Sequence, residues 1–403
     1  MPKLSSRASS PPSSLSGRAE RLRERRNLKM ARSAQTYVRG STARFYEWLM
    51  ADGRSLPQGP QVWICGDCHY GNLGPVANAK DEVAVQIRDL DQTVIGNPAH
   101  DVIRLALSLA SAARGFDLPG AATARIVENL VDAYQAALTA RRRAHDDRPP
   151  TIEGLIKASR KRSWASLARE RIEDLEPHIP IGKHYWPLSQ NERRALEALV
   201  KSESVTGLVT ALRSRSSDAE VELLDAAYWV KGCSSLGLAR YALLVGVGEG
   251  KRRELCLIDV KEAVRAAAPR AAQASMPRDN AERVIQGARA LSPHLGERMR
   301  ASHVLDTPVF VRELRPQDLK LELDELDSDE AICVTRFLAG VVGRAHARQM
   351  TLEDCRGWAA ELNRHRSKSL EAPSWLWTSV VDLMAQHEAA YLDHCRRYAN
   401  IAA

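Results

Sequence analysis

One β-rich segment interrupts a chain whose remaining pattern is mostly helical, and this order restricts the folds that the sequence can adopt. Residues 230–264, VKGCSSLGLARYALLVGVGEGKRRELCLIDVKEAV, contain a Gly/Ser loop and two apolar runs joined by a glycine-rich turn. Two β-rich runs around such a turn predict a hairpin. A helical segment at residues 278–292 and a further strand at residues 308–314, PVFVREL, follow. The sequence therefore predicts an α+β protein with a small β-rich lobe inserted between helical parts of a larger lobe.

The pattern of the chain predicts four parts. Residues 1–16 are Ser-rich and lack the apolar segment of a secretory signal, which predicts a disordered tail. Residues 17–229 predict a large helical lobe that includes a catalytic-loop hairpin at residues 61–91. Residues 230–325 predict the small β-rich lobe, and residues 326–403 predict helices that complete the large lobe.

The hairpin in the helical lobe carries the best candidates for catalytic and metal-binding residues. QVWIC, at residues 61–65, and EVAVQIRDLD, at residues 82–91, are typical of short strands, and the loop between them is rich in Gly and Asn. If these strands pair, Asp67, Asn72 and Asp89 lie together at one end. Two Asp side chains and a carboxamide form a hard-oxygen site of the type that magnesium–phosphate complexes use.

The spacing within this hairpin matches the pattern of a phosphotransferase. In protein kinases the base Asp precedes a metal-binding Asn by five residues, as Asp67 precedes Asn72 here. Asp91 offers a further metal ligand, and Asp101, in GNPAHD, is predicted to brace the loop through hydrogen bonds. Asp and Asn are also common turn and cap residues, so a structural role for these side chains stays open.

A nucleotide clamp is predicted farther along the chain. Backbone N–H groups of a glycine-rich loop can cradle phosphates, and a lysine inside an apolar strand needs an anionic partner. We expect Lys261 to bind nucleotide phosphates and Glu282, on the next predicted helix, to steady it. The loop residues predicted to bind the nucleotide are Gly232, Ser234, Ser235 and Gly237.

The catalytic loop precedes the glycine loop and the lysine in this chain, whereas a protein kinase has the opposite order. A circularly permuted kinase-like fold explains that arrangement. At this point the chain resembles a family of uncharacterised bacterial proteins grouped as domain of unknown function 2252. The motifs that carry the resemblance are KMARSAQTYVRGS, CGDCHYGNLG, RDLDQT, KGCSSLGLARYALLV, LIDVKEA, ERVIQGAR, VFVREL and GRAHAR.

The resemblance implies a permuted protein-kinase-like or aminoglycoside-phosphotransferase-like bilobal fold and a set of site residues. Leu90 stands where family members typically have an aromatic residue. His69 is expected to orient the loop or to contact substrate. Arg39, Arg344 and His346 are implied neighbours of the site. The implied active-site set is Asp67, His69, Asn72, Asp89, Asp91, Lys261 and Glu282.

These residues predict an ATP- and Mg²⁺-dependent phosphotransferase acting on an unidentified hydroxyl acceptor. A nucleotide-binding regulator or a nucleotidyltransferase of the same fold is the first alternative. The second is a redox or metal-binding protein that uses Cys65, Cys68 and His69, because Cys-x-x-Cys-His also spells a haem or zinc motif.

Cysteine usage and charge bear on compartment and partners. Seven scattered cysteines argue against a disulfide framework and favour a reducing cytoplasm. No apolar run is long enough to predict a membrane span. The net charge is +8, but the basic runs carry no interleaved aromatic residues, so nucleic acid is not an expected partner. The expected partners are a nucleotide and the acceptor, and the sequence does not indicate an oligomeric state.

Overall fold

The structure is a computed structural model that describes residues 17–51, 56–115, 118–139, 148–172, 177–212, 214–233, 235–250, 253–321, 326–364, 366 and 372–398. These residues form a mixed α+β fold, which confirms the α+β class predicted from the sequence. The predicted tail, residues 1–16, lies outside the described residues. Within the described ranges no helix combines the length and the apolar character needed to cross a membrane.

Most of the elements in the described residues are helices. In chain order they are α1 (Arg18–Met30), α2 (Ala34–Gly40), α3 (Thr42–Leu49), α4 (Ala99–Gly115), α5 (Gly120–Thr139), α6 (Pro150–Arg160), α7 (Trp164–Ile172), α8 (Gln190–Val200), α9 (Glu203–Val209), α10 (Asn280–Leu291), α11 (Pro293–Gly296), α12 (Ser328–Ala347), α13 (Leu352–Leu362) and α14 (Ser374–Tyr398). The first three helices, α1, α2 and α3, follow one another with short breaks. A new helix begins after Ser33 because its hydroxyl accepts a hydrogen bond from the Thr36 amide as an N-cap.

The strands form one large sheet and two short antiparallel pairs. The strands are β1 (Val62–Ile64), β2 (Leu73–Ala77), β3 (Val83–Ile87), β4 (Val94–Gly96), β5 (Tyr185–Trp186), β6 (Val221–Trp229), β7 (Arg240–Val247), β8 (Glu254–Glu262), β9 (Met299–Val304) and β10 (Thr307–Leu314). The large sheet has the order β5-β6-β7-β8-β10-β9, with every neighbour antiparallel. β1 pairs with β4, and β2 pairs with β3.

The predicted hairpin of the β-rich segment is confirmed as β7 and β8, in which Arg240 lies opposite Lys261. The preceding strand corrects the sequence interpretation, which assigned residues 17–229 to the helical lobe. Residues 221–229 form β6, which pairs with β7, so the sheet begins before the predicted boundary at residue 230. The last four residues of β6 are all buried, and a strand without alternation cannot be told from a buried helix by pattern alone.

The catalytic-loop hairpin also pairs differently from the prediction. The strand at residues 61–65 was expected to pair with the strand at residues 82–91. Instead β1 pairs with β4, and β3 pairs with β2, which lies inside the segment taken as a loop. All five β2 residues, LGPVA, are buried, so they show no alternating pattern, and their Gly and Pro are typical of loops.

Both faces of the large sheet are covered by packed side chains. The charged residues of β8 lie on one of these two faces. One face packs Ile258, Val260 and neighbouring strand residues with apolar side chains of α8 and α9. The opposite face packs Leu257 and its neighbours against α7. Residues two apart on a strand share a face, so Asp259 and Lys261 lie on the same face as Leu257. The largest core joins α4, α5, α12 and α10 with the short strand pairs.

Candidate functional site

The loop after β1 is held by a buried carboxylate at the start of α4. Asp101, which is fully buried, accepts hydrogen bonds from the backbone N–H groups of Cys65, over 2.7 Å, and Gly66, over 3.0 Å. Tyr46 OH donates to the Gly66 carbonyl over 2.7 Å. The predicted bracing role of Asp101 is therefore confirmed, and the loop that begins at Gly66 has a fixed starting geometry.

Asp101 is itself held by a chain of buried polar side chains. His346 Nε2 lies 3.2 Å from Asp101 Oδ2, and its Nδ1 lies 2.8 Å from Tyr134 OH. Because an ionised carboxylate only accepts, a hydrogen bond between these groups has His346 Nε2 as its donor. Trp358 Nε1 then donates to the Tyr134 oxygen over 3.1 Å. His346, an implied neighbour of the site, thus supports the loop through Asp101.

Backbone pairing between β2 and β3 brings the Asn and Asp of the motif together. Leu73 lies opposite Ile87, and just beyond this pair the Arg88 N–H donates to the Asn72 carbonyl over 2.7 Å. Asp89 therefore follows directly after the residue that pairs with Asn72. The Asn72 side-chain N–H₂ donates to the Asp67 carbonyl over 3.0 Å, so the amide nitrogen is engaged within the loop.

Asp67 lies in a buried ion pair that the sequence analysis did not anticipate. Arg104, on α4, donates from Nε to Asp67 Oδ1 over 2.9 Å, and its side chain is also buried. The same guanidinium donates to the Val38 carbonyl, which ties α2 to this loop. Burial raises the pKa of Asp67, and the neighbouring Arg104 offsets part of that rise.

Lys261 reaches the two acids of the second motif across a large gap in sequence. Its ammonium lies 2.8 Å from Asp91 Oδ2 and 3.3 Å from Asp89 Oδ1. Burial opposes the charge of Lys261, but the two carboxylates raise the pKa of Lys261 overall. Burial likewise opposes the charge of Asp89, but Lys261 and Arg312 lower its pKa to about 2. Lys261 and Asp89 are therefore both charged at neutral pH.

Glu282 does not steady Lys261, which corrects the predicted pair. The α10 residues Ala281, Val284 and Ile285 are buried, and Glu282 points outward on the exposed face. The partners of Lys261 are the two aspartates instead. Arg283, the next residue on α10, turns inward and donates to the backbone carbonyls of Asp91 and Thr93, in the segment that carries these aspartates, and to that of Val264, just after β8.

The glycine-containing loop joins β6 to β7, directly before the hairpin that carries Lys261. Gly232 and Gly237 have φ values of +105° and +110°, which L side chains rarely adopt, so both positions require glycine. Lys29, on α1, donates to the Gly232 carbonyl over 2.7 Å. Ser235 is buried. Ser234, also a predicted nucleotide ligand, lies outside the described residues.

His69 is buried, and its surroundings favour the neutral imidazole. Burial first, and then the guanidinium groups of Arg39 and Arg104, hold the pKa of His69 well below its usual range. Its Nδ1 has no hydrogen-bond partner among the described residues. The His69 carbonyl accepts from the Asn72 N–H over 2.8 Å, so its backbone contributes to the loop geometry. Arg39 lies beside Gly71 and forms no ion pair with any described acid.

The Cys-x-x-Cys-His string does not form a ligand cluster. Among the described residues, no three His, Cys, Asp or Glu side chains are arranged to hold a metal ion. Cys65 and Cys68 are buried free thiols. A hydrogen bond with Cys68, followed by burial, raises the pKa of the Cys65 thiol well above its usual value. This geometry gives no support to a metal site on Cys65, Cys68 and His69.

A row of charged residues beside Lys261 was missed by the sequence analysis. Asp259 is fully buried and accepts from Arg240, over 2.8 and 2.6 Å, and from Arg312, over 3.2 and 3.0 Å. Burial opposes the charge of Asp259, but the two guanidinium groups hold its pKa far below the usual range. The sequence did offer one sign of this row. An acid lies two residues before Lys261 on an apolar strand, and a buried charge requires partners.

The comparisons with known proteins identify the family. The family model described as "Uncharacterized protein conserved in bacteria (DUF2252)" matches residues 18–397. The chain belongs to this family. No curated protein and no solved structure matches the chain. The DUF2252 match covers every residue of the site described above.

Proposed function

We propose that this DUF2252 protein is an ATP- and Mg²⁺-dependent phosphotransferase with a protein-kinase-like bilobal fold in circularly permuted order. The observation that carries the proposal is the contact of Lys261 with Asp89 and Asp91, which are 172 and 170 residues away in sequence. Kinases bring together the same kinds of residue, a strand lysine and a metal-binding Asp, at the nucleotide phosphates.

The order of elements around Lys261 supports the same proposal. In protein kinases a glycine-rich loop covers the phosphates, a lysine follows on the third strand, and helix αC comes next. Here the loop with Gly232 and Gly237 joins β6 to β7, Lys261 lies on β8, and α10 follows. The sheet continues with β9 and β10 after α10. The catalytic loop, at residues 67–72, precedes all of these elements, as a circular permutation requires.

Each site residue has a role that its surroundings allow. Asp67, with a raised pKa, would position the acceptor hydroxyl and take up its proton. Lys261 would bind the nucleotide phosphates together with backbone N–H groups of the Gly232–Gly237 loop. A polyphosphate offers the ammonium a new anionic partner and leaves the carboxylates of Asp89 and Asp91 free to bind a cation.

The donor set fits magnesium. Asn72 supplies a carboxamide oxygen that receives no hydrogen bond from the described residues, and Asp89 and Asp91 supply carboxylates. Protein sites for Mg²⁺ commonly use one or two carboxylates with substrate phosphates, so a cluster of three protein acids is not needed. When bound, the ion would neutralise charge on the transferring phosphoryl group.

The test is magnesium-dependent turnover of ATP by Asp89→Asn. We expect the variant to lose transfer or hydrolysis while its circular dichroism spectrum stays unchanged. The matched control is Glu282→Gln, which also converts an acid to an amide but on the exposed face of α10. Equal turnover by Asp89→Asn and the wild-type protein would remove the metal role of Asp89.

The reaction product distinguishes a phosphotransferase from the two alternatives with the same fold, a nucleotidyltransferase and a nucleotide-binding regulator. Mass spectrometry of the acceptor distinguishes an added phosphoryl group from an added AMP group. Stabilisation by ATP and Mg²⁺ in a thermal-shift assay, with no modified product, would indicate a nucleotide-binding regulator instead.

A further inference from the structure

A strongly cationic cavity lies beside the candidate site, between the end of β3, helix α7, the start of the glycine-containing loop and strand β10. It holds about 30 Å³ of space that a water-sized sphere can reach, and it is partly open to solvent. The charged residues that line it are Arg88, Arg171, Lys231, Arg312, Arg315 and Asp318. Five cations therefore face one carboxylate.

Two of these cations have no carboxylate partner among the described residues. The ammonium of Lys231 lies 4.2 Å from the centre of the Trp229 ring and forms no hydrogen bond or ion pair in the described part of the chain. Within the described ranges the guanidinium of Arg88 donates only to the Asp318 carbonyl, over 3.2 Å. Desolvated cations without counter-charges are costly, so the cavity favours an anion.

The acids near the cavity are already in ion pairs, and these include Glu170 with Arg171 and Asp81 with Arg315. Arg298 donates to both carboxylate oxygens of Asp318, over 3.1 and 3.0 Å. Asp259 is shared by Arg240 and Arg312, as described above. The buried Nε atoms of Arg171 and Arg315 also have no hydrogen-bond partner among the described residues. The cavity thus presents unused donors as well as excess positive charge.

The titration behaviour agrees with this geometry. Burial, followed by the charges of Arg171 and Arg240, holds the pKa of Lys231 well below its usual value. This shift indicates that the positive charge of Lys231 is poorly compensated within the folded protein.

We propose that this cavity is a binding site for a phosphate group, separate from the nucleotide contact at Lys261. Guanidinium groups bind phosphate oxygens through paired N–H donors, and a lysine adds a point charge. Arg88 directly precedes Asp89 in the chain, so a phosphate bound here lies next to the candidate catalytic site. The cavity therefore selects a phosphorylated compound or the free phosphate ion.

The test is calorimetric titration of the full chain with inorganic phosphate and with glycerol 1-phosphate, at constant ionic strength. We expect Lys231→Met to weaken phosphate binding at least tenfold, and Arg88→Met to do the same. The matched control is Lys201→Met, which removes one charge from an exposed position at the end of α8 and should change affinity less than twofold. Tighter binding of glycerol 1-phosphate assigns an organic phosphate, and tighter binding of the ion assigns free phosphate.

A second measurement keeps the result independent of folding and of the nucleotide site. Phosphate should raise the melting temperature of the wild-type protein and of Lys261→Met, but not that of Lys231→Met. Lys231→Arg should retain the effect. Absence of phosphate binding by the wild-type protein would overturn the proposal. Loss of binding in Lys261→Met with retention in Lys231→Met would assign the phosphate to the nucleotide site instead.

Discussion

Replacing Asp101 by alanine should destabilise the protein strongly, because this buried carboxylate satisfies two backbone N–H groups that have no other partner in the described part of the chain. Its two oxygens accept from the N–H groups of Cys65 and Gly66, and one also contacts His346. An orphaned buried donor costs about 1–3 kcal/mol. Two such donors predict a loss of roughly 2–6 kcal/mol in the free energy of unfolding.

Urea unfolding followed by tryptophan fluorescence measures this change through the midpoint at constant m-value. Asp101→Asn keeps one accepting oxygen and should lose about half as much. The matched control is Asp132→Asn, which breaks an exposed ion pair with Arg366 and should cost less than about 1 kcal/mol. A loss below about 1 kcal/mol for Asp101→Ala would refute the bracing role.

Three further predictions concern the charged row, the helix packing and the pH range of stability. Asp259→Asn should cost roughly 3–5 kcal/mol in urea unfolding, because two buried guanidinium groups lose their shared anion; a cost similar to that of an exposed pair would contradict this. Gly343→Ala should lower the melting temperature measurably, because a Cβ there would lie 2.7 Å from the Tyr134 carbonyl oxygen; an unchanged melting temperature would show that α5 and α12 can separate. Because folding lowers the pKa of Asp89, its ionised carboxylate stabilises the fold at any pH above about 4, the pKa of an Asp in the unfolded chain. This contribution is lost as the pH falls towards 2. Because folding raises the pKa of Lys261, its ammonium stabilises the fold at any pH below 10.5, the pKa of a Lys in the unfolded chain. This contribution is lost as the pH rises through the higher pKa of the folded state. Lys261→Met should remove the alkaline slope from a plot of unfolding free energy against pH and weaken the acid slope, to which Arg312 also contributes; identical slopes would contradict the pairing.

Short-range patterns predicted the parts of the fold that local sequence determines. The β7–β8 hairpin follows from two apolar runs around a glycine-rich turn. Lys261 was expected to need an anionic partner because it lies within an apolar strand, and the structure provides Asp89 and Asp91. The spacing of Asp67 and Asn72 likewise placed both residues in one loop.

Features that depend on tertiary contacts were not predictable in the same way. The buried strand β2 shows no alternation, so the sequence gives no sign that it pairs with β3. The partner of Asp67 is Arg104, on a helix that is apolar nearly all round, and no local pattern connects these two residues. The strand β2 and the helix α4 are buried on nearly all sides. Their sequences therefore lack the contrast between apolar and polar positions from which a buried face is predicted.

The wrong partner for Lys261 was avoidable. Ala281, Val284, Ile285 and Ala288 follow the i, i+3, i+4, i+7 spacing of a buried helix face. Glu282 falls outside that face, which predicts an exposed side chain rather than a partner inside the protein.

A crystal soaked with a non-hydrolysable ATP analogue and Mg²⁺ would show whether Lys261 and Asp89 form a nucleotide site. We expect triphosphate density between Lys261 and Asp89, with the ion at Asp89 and the Asn72 side chain. Nucleotide bound elsewhere, or a saturating soak that leaves Lys261 paired with both aspartates and no nucleotide beside them, would contradict it.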